Sequence, residues 1–131
     1  MNDGVRVVRA NERSGDTHQT QGMRREAAIA PETTGSRNLW MGLVTAPAGM
    51  PSAWHHHGDC ETAFYVLQGR LRFRWGKGGA ETVEAGPGDF VAVGPNAIHR
   101  EESIGTEDGV IVLARACGNV VAVTVEGPEP A

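Results

Sequence analysis

The stretch TAFYVLQGRLRFRWGKGGAETVEA, residues 62–85, decides the fold. Within it, LRFRW at 71–75 alternates without a break, with Leu71, Phe73 and Trp75 on one face of an extended chain and Arg72 and Arg74 on the other. TAFYVLQ at 62–68 is a second strand, ended by Gly69. GKGGA at 76–80 is the glycine-rich kind of connection that closes a hairpin, and ETVEA at 81–85 is its return strand.

The same punctuation continues in both directions. Upstream, RNLWMGLVTAP reads as a strand from residue 37, with Leu39, Met41 and Leu43 on one face and Trp40 and Val44 on the other. Downstream, GPGD at 86–89 turns into FVAV, and GPNA at 94–97 turns into Ile98 and His99. After a charged loop, VIVLARA and VVAVTV read as closing strands, and EGPEPA at 126–131 is expected to fray. At the other end, residues 3–10 alternate weakly around Val5 and Val7 as an edge strand, and residues 11–25 are a polar arm. EAAIA at 26–30 is too short to establish a helix before Pro31 interrupts it.

Eight or nine short strands separated by Gly/Pro turns, with no sustained helical period, predict an all-β domain closed into a barrel or sandwich. The expected division is an N-terminal strand and arm at 1–36, a barrel at 37–125 and a flexible tail at 126–131. The 18 glycines have no three-residue period, which excludes collagen.

Net charge is −4, with no basic block, which argues against a nucleic-acid partner. No apolar run approaches the roughly twenty residues needed to span a bilayer as a helix. Cys60 and Cys117 can pair only if the fold brings them together, so a soluble cytoplasmic protein is the expectation.

Four of the five histidines belong to one pattern: His55, His56, His57 and, about forty residues on, His99. In a strand, His55 and His57 project to one side and His56 to the other, whereas a kink at Trp54 would put His56 in place of His55. Two imidazoles, the nearby carboxylate of Glu61 and a distant imidazole make a first shell for one divalent ion: Fe, Mn, Zn, Ni, Co or Cu. A histidine run by itself also suits a surface turn, but His99 follows a strand and turn of its own, which a surface run does not require. No C-x-x-C pair is present, so a cysteine-rich structural zinc site is not expected.

These segments resemble the cupins, small jelly-roll (double-stranded β-helix) proteins. Gly49, His55, His57 and Gly69 stand in the order of the first cupin motif, and Gly88, the tripeptide GPN at 94–96 and His99 in that of the second. FYVLQG at 64–69 and PGD at 87–89 are also cupin-like, and the resemblance covers about residues 37–116. Gly94 and Asn96 replace the usual Pro and Gly, and Asn96 can still adopt a left-handed turn. Ser103 stands at the usual Asn. The carboxylate has two registers: counting forward from His57 gives Glu61, whereas counting back from Gly69 gives Thr62, and a β-bulge near 61–64 would reconcile them.

The resemblance implies a metal held by His55, His57, Glu61 and His99, with Glu61 and His99 closest to the chemistry. His56, Thr62, Phe64, Phe73 and Trp75 are candidates for the surroundings, and Trp40, Trp54 and Tyr65 for further apolar wall. Arg100, Glu101 and Glu102 read as a rim or as ordinary surface charge. The first expectation is a dioxygenase or related oxidoreductase acting on a chelating small molecule. The alternatives are a metal-dependent isomerase, lyase or rearrangement enzyme of small-molecule biosynthesis, or a non-catalytic binding cupin. The N-terminal arm suits addition to a neighbouring sheet, hence a homodimer.

Overall fold

The computed structural model describes residues 4–117 and 122–131. Ten strands follow in order: β1 (Arg24–Ile29), β2 (Trp40–Ala46), β3 (His55–His56), β4 (Thr62–Gln68), β5 (Leu71–Trp75), β6 (Glu81–Ala85), β7 (Phe90–Val93), β8 (His99–Ser103), β9 (Gly109–Arg115) and β10 (Val123–Thr124). One short helix, α1 (Pro31–Thr34), follows β1 and ends on Gly35. The strands form two five-stranded sheets ordered β1-β2-β9-β4-β7 and β10-β3-β8-β5-β6, and every pairing between them is antiparallel. The domain is all-β, as its punctuation predicts. Among the described residues no helix is long and apolar enough to cross a membrane.

Register sorts the interior into layers. Val44, Ile111 and Val66 lie side by side across the first sheet, then Gly42, Leu113, Phe64 and Val91, then Trp40, Arg115, Thr62 and Val93. In the second sheet Leu71 pairs with Ser103, Phe73 with Glu101, and Trp75 with His99. The interior is therefore apolar at one end and becomes polar toward the other. The two sheets meet at Phe64 and Phe73, whose rings stack with centroids 5.6 Å apart. Gly42 lets β1 close on β2, because a Cβ there would stand 2.2 Å from the Glu26 carbonyl and 2.7 Å from the Trp40 indole.

Both ends of the chain depart from expectation. Residues 4–10 form no strand, and residue 3 lies outside the described residues. The strand is instead β1, spanning the end of the polar arm and most of EAAIA, and it pairs with β2. The boundary expected between residues 36 and 37 thus falls inside one sheet. The arm packs back on its own barrel through a Ser14–Ala27 bridge. Of the expected strand at 120–125, residues 120 and 121 lie outside the described residues, and β10 occupies Val123–Thr124. The tail is tied down by the Gly78 N–H, which donates to the Glu129 carbonyl at 2.7 Å. Cys60 and Cys117 form a disulfide, with Cα atoms 5.8 Å apart. Their approach follows from register, because Thr62 and Arg115 pair across β4 and β9 two residues away from each cysteine.

Candidate metal centre

His55 lies on β3, His57 just beyond it, and His99 opens β8, paired directly with His55. All three are buried, at 0%, 1% and 3% exposure, and one ligating nitrogen from each falls within 4.8 Å of the others. His56 points the other way, as strand alternation requires, and its Nδ1 accepts from the Gly58 N–H at 3.0 Å. Asn96 adopts a left-handed φ of 58°. Its N–H donates to the Gly58 carbonyl at 2.7 Å and its side-chain amide to Asp59 Oδ1 at 2.9 Å, joining the turn after His57 to the turn before His99.

Two of the rings have assigned tautomers. Nδ1 of His55 donates to the Ala53 carbonyl at 2.7 Å and Nδ1 of His99 to the Ala97 carbonyl at 2.8 Å, because a carbonyl only accepts. That arrangement aims Nε2 of each ring at the cluster. Burial pushes the His55 imidazole down to about 4, against the opposing pull of Glu101, and burial also pushes His57 well below the ordinary histidine range. These two are neutral imidazoles at physiological pH, the form that ligates metal.

A buried carboxylate on β8 stands beside two of the three rings. Glu101 is fully buried, and its Oε2 lies 3.6 Å from His55 Nε2 and 3.4 Å from His99 Nε2. These separations are too long for hydrogen bonds. The 3.4 Å separation matches two ligand atoms sharing one ion, which stand roughly 3.0–3.4 Å apart when each is about 2.1 Å from the metal, and the 3.6 Å one is slightly longer. His55 Nε2, His99 Nε2, both ring nitrogens of His57 and both Glu101 oxygens are buried without a hydrogen-bond partner. One nitrogen of neutral His57 carries its proton and the other atoms are acceptors, and such a concentration of orphaned acceptors is costly in an apolar interior unless something electropositive occupies it. The residues present therefore fit a single divalent ion.

Glu61 stands elsewhere. β4 runs in unbroken register with β9 from Thr62–Arg115 to Val66–Ile111, and its irregularity comes only between Val66 and Gln68. No bulge near 61–64 rescues Glu61, so alternation turns Thr62 inward and leaves Glu61 exposed beside Leu39, Ala63 and Ala116. Thr62 is 3% exposed, and its hydroxyl has no hydrogen-bond partner. Glu101 was legible by the rule that pairs His55 with His57, since His99 and Glu101 are also two apart, but a run of charged residues reads as surface. Its neighbours do lie outward: Arg100 stacks over Trp54 at 4.8 Å, and Glu102 pairs with Arg72 at 3.8 Å.

Of the aromatic candidates, Phe73 and Trp75 line a cavity of about 250 Å³ together with Val83, Val91 and Val93, and His99 is also on its wall. Phe64 is core, and Tyr65 packs on Phe90 at 4.7 Å. Trp40 is buried under Arg115, whose guanidinium sits 4.9 Å from the ring.

The cupin-domain family model matches residues 42–114, more than half of the chain. The chain is a cupin. Among solved structures, this cupin superposes on an oxalate decarboxylase variant from Bacillus subtilis with a TM-score of 0.71 at 22% identity, over 82% of this chain and 29% of that one. Lactobacillus farciminis oxalate decarboxylase in complex with formate gives 0.70 at 16%, over 82% and 32%. An uncharacterized Klebsiella pneumoniae protein with a double-stranded β-helix domain gives 0.70 at 18%, over 94% and 99%. The chain thus spans under a third of the decarboxylases' length, and at these identities the likeness speaks to fold. No curated protein matches.

The depressed imidazoles make the metal-free protein acid-sensitive. An unfolded His55 takes its proton near 6.5, whereas the folded one resists until about 4. The unfolded state therefore binds more protons across that window, and stability is lost as pH falls through it. His55 alone contributes about 3 kcal/mol to this loss, and His57 adds with the same sign. Urea titrations of chelator-treated protein at pH 7 and pH 4.5 check this expectation, and equal midpoints would contradict it.

Proposed function

We propose that this cupin is a metal-dependent enzyme that cleaves or isomerises a small chelating molecule. The supporting observation is the buried cluster of His55, His57 and His99, with the Glu101 carboxylate beside two of its rings and His99 on the wall of an apolar cavity. His55, His57, His99 and Glu101 would hold the ion and would leave room on it for a bidentate substrate. The likeness to oxalate decarboxylases favours lyase chemistry over the dioxygenase first expected from the sequence.

The divalent ion, when bound, supplies Lewis-acid polarisation of a carbonyl or carboxylate oxygen. The chain's own residues do the rest. The Ala53 and Ala97 carbonyls fix the rings of His55 and His99. Glu101 presents two oxygens, so one can ligate while Oε1 accepts a proton or hydrogen bond from the substrate. Phe73, Trp75, Val83 and Val91 keep the cavity apolar and limit water around the reacting group.

The test is to incubate metal-loaded protein with small keto and hydroxy acids, following products by mass spectrometry and oxygen by electrode. Conversion without oxygen consumption, lost in His57→Ala, is the expected result. Oxygen uptake matching product formation would return the reading to an oxygenase. Full metal occupancy with no turnover would leave a binding protein.

A further inference from the structure

Twelve buried side-chain atoms among the described residues lack a hydrogen-bond partner, and all but Arg13 Nε belong to Arg25, His55, His57, Thr62, His99, Glu101 and Arg115. One ion would satisfy the imidazoles and a Glu101 oxygen. The leftover donors are Nε and Nη2 of Arg25, Nε and Nη1 of Arg115, and the Thr62 hydroxyl. The two arginines are 1% and 2% exposed. Hydrogen-bond donors in this setting without acceptors are as unfavourable as unpaired acceptors.

Both guanidiniums belong to the metal's surroundings. Arg115 pairs with Thr62 across β9 and β4, and Thr62 holds the inward place where the first cupin motif, counted back from Gly69, puts its carboxylate. Arg25 is felt electrostatically by His55, His57, Glu101 and Arg115. Among the described residues Arg25 makes no ion pair with Glu101, whose Oε2 approaches His55 and His99 instead. Its Nη1 is anchored on Thr20 Oγ1 at 2.5 Å. The two free groups, Nε and Nη2, share one edge of the guanidinium, the side-on fork that grips a carboxylate with two parallel hydrogen bonds. Arg115 is steadied from behind by Trp40, and the acid that acts on it, Glu32, is exposed rather than buried. Two buried cations against one buried carboxylate leave the chamber with an excess positive charge, and a divalent ion increases it. Buried charge of one sign calls for a counter-charge.

We propose that Arg25 and Arg115, helped by the Thr62 hydroxyl, form a receptor for the carboxylate of an anionic substrate held beside the metal. This inference rests on reading the three-histidine cluster as a substrate-handling centre. It explains why Thr62 rather than an acid faces inward on β4: an additional carboxylate there would take up the cations. The substrate class is then a small organic acid that offers a chelating oxygen to the metal and a carboxylate to the arginines.

The test is a titration of the metal-loaded protein with acetate, acetamide and inorganic phosphate at constant ionic strength, read by calorimetry and by thermal shift. Acetate should bind saturably and at least tenfold more tightly than acetamide and phosphate. Arg25→Gln and Arg115→Gln should each weaken acetate at least tenfold while metal stays at one ion per chain. Should either variant fail to fold, Arg25→Lys and Arg115→Lys keep the charge, lose the planar guanidinium and should still weaken acetate. Equal affinity for acetate and acetamide in the unaltered protein would overturn the proposal, as would arginine variants that bind acetate normally. Tighter phosphate binding would overturn the carboxylate assignment. Turnover of uncharged substrates without acetate affinity sinks the receptor and spares the enzyme reading. Acetate affinity without turnover of any acid sinks the enzyme reading and spares the receptor.

Discussion

His99→Ala should lose its metal. The purified variant is expected to carry under about a tenth of an ion per chain, against one for the parent, by emission spectrometry after dialysis. The expectation follows from position. His99 Nε2 faces the Glu101 carboxylate at 3.4 Å, and its ring centroid lies 4.4 Å from that of His55 and 5.3 Å from that of His57. Loss of a group that merely orients a ligand costs about 10–100-fold in metal affinity, so loss of the ligand itself costs at least that. Stabilisation by added metal should vanish in parallel, because an ion that does not bind the native state cannot shift its melting temperature. Glu61→Gln should retain full metal, since Glu61 is exposed. Glu101→Gln should fall between the two, keeping an oxygen donor but losing the charge. Metal loss in Glu61→Gln with retention in Glu101→Gln would move the carboxylate back to β4.

Phe64→Ala should cost about 3–5 kcal/mol of folding stability, the range for deleting a buried phenyl ring. Phe64 is 1% exposed, pairs with Leu113 and Val91 within its sheet, and stacks on Phe73 of the opposite sheet with rings 20° from parallel. It therefore holds the two sheets in register across the middle layer. Its removal leaves a void that β4 and β9, paired over most of their length, cannot close by moving. The melting temperature should drop by roughly 10–20 °C for a domain of this size. Phe90→Ala makes the contrast, because Phe90 is 79% exposed and its loss should change little. Similar melting temperatures for the two variants would place the load-sharing contact between the sheets elsewhere.

Much of the barrel is legible in residues 62–85 because period-two alternation and glycine turns are local signals. β5 runs over Leu71–Trp75 as its pattern predicts, and β4 over Thr62–Gln68. The failures share a cause, which is that the sequence does not announce when a charged residue is buried. β1 carries Arg25 inward between two exposed or half-buried neighbours, so its pattern looks like a polar arm. Glu101 sits in the run HREES, which looks solvated, although its alternation of buried and half-buried positions is regular. Glu61 drew notice because it lies close to the histidines along the chain. Closeness along a strand is misleading here, because one residue decides which side of the sheet a group occupies. β3 is two residues long and carries no pattern at all; its histidines, not its periodicity, mark it.

β3 and β8 are joined by a single residue pair, His55 with His99, whereas β8 and β5 share five. The segment before β3 adds bridges from Pro51 to Glu102 and from Ala48 to Ser103, so the junction of β10 and β3 with β8, β5 and β6 is a thin one. His55 and His57 stand on one bank of that junction and His99 and Glu101 on the other. An ion held by these side chains would add a rivet to that thin backbone junction. Chelation should therefore show first as faster amide exchange along this junction, ahead of any change in the long ladders of the first sheet.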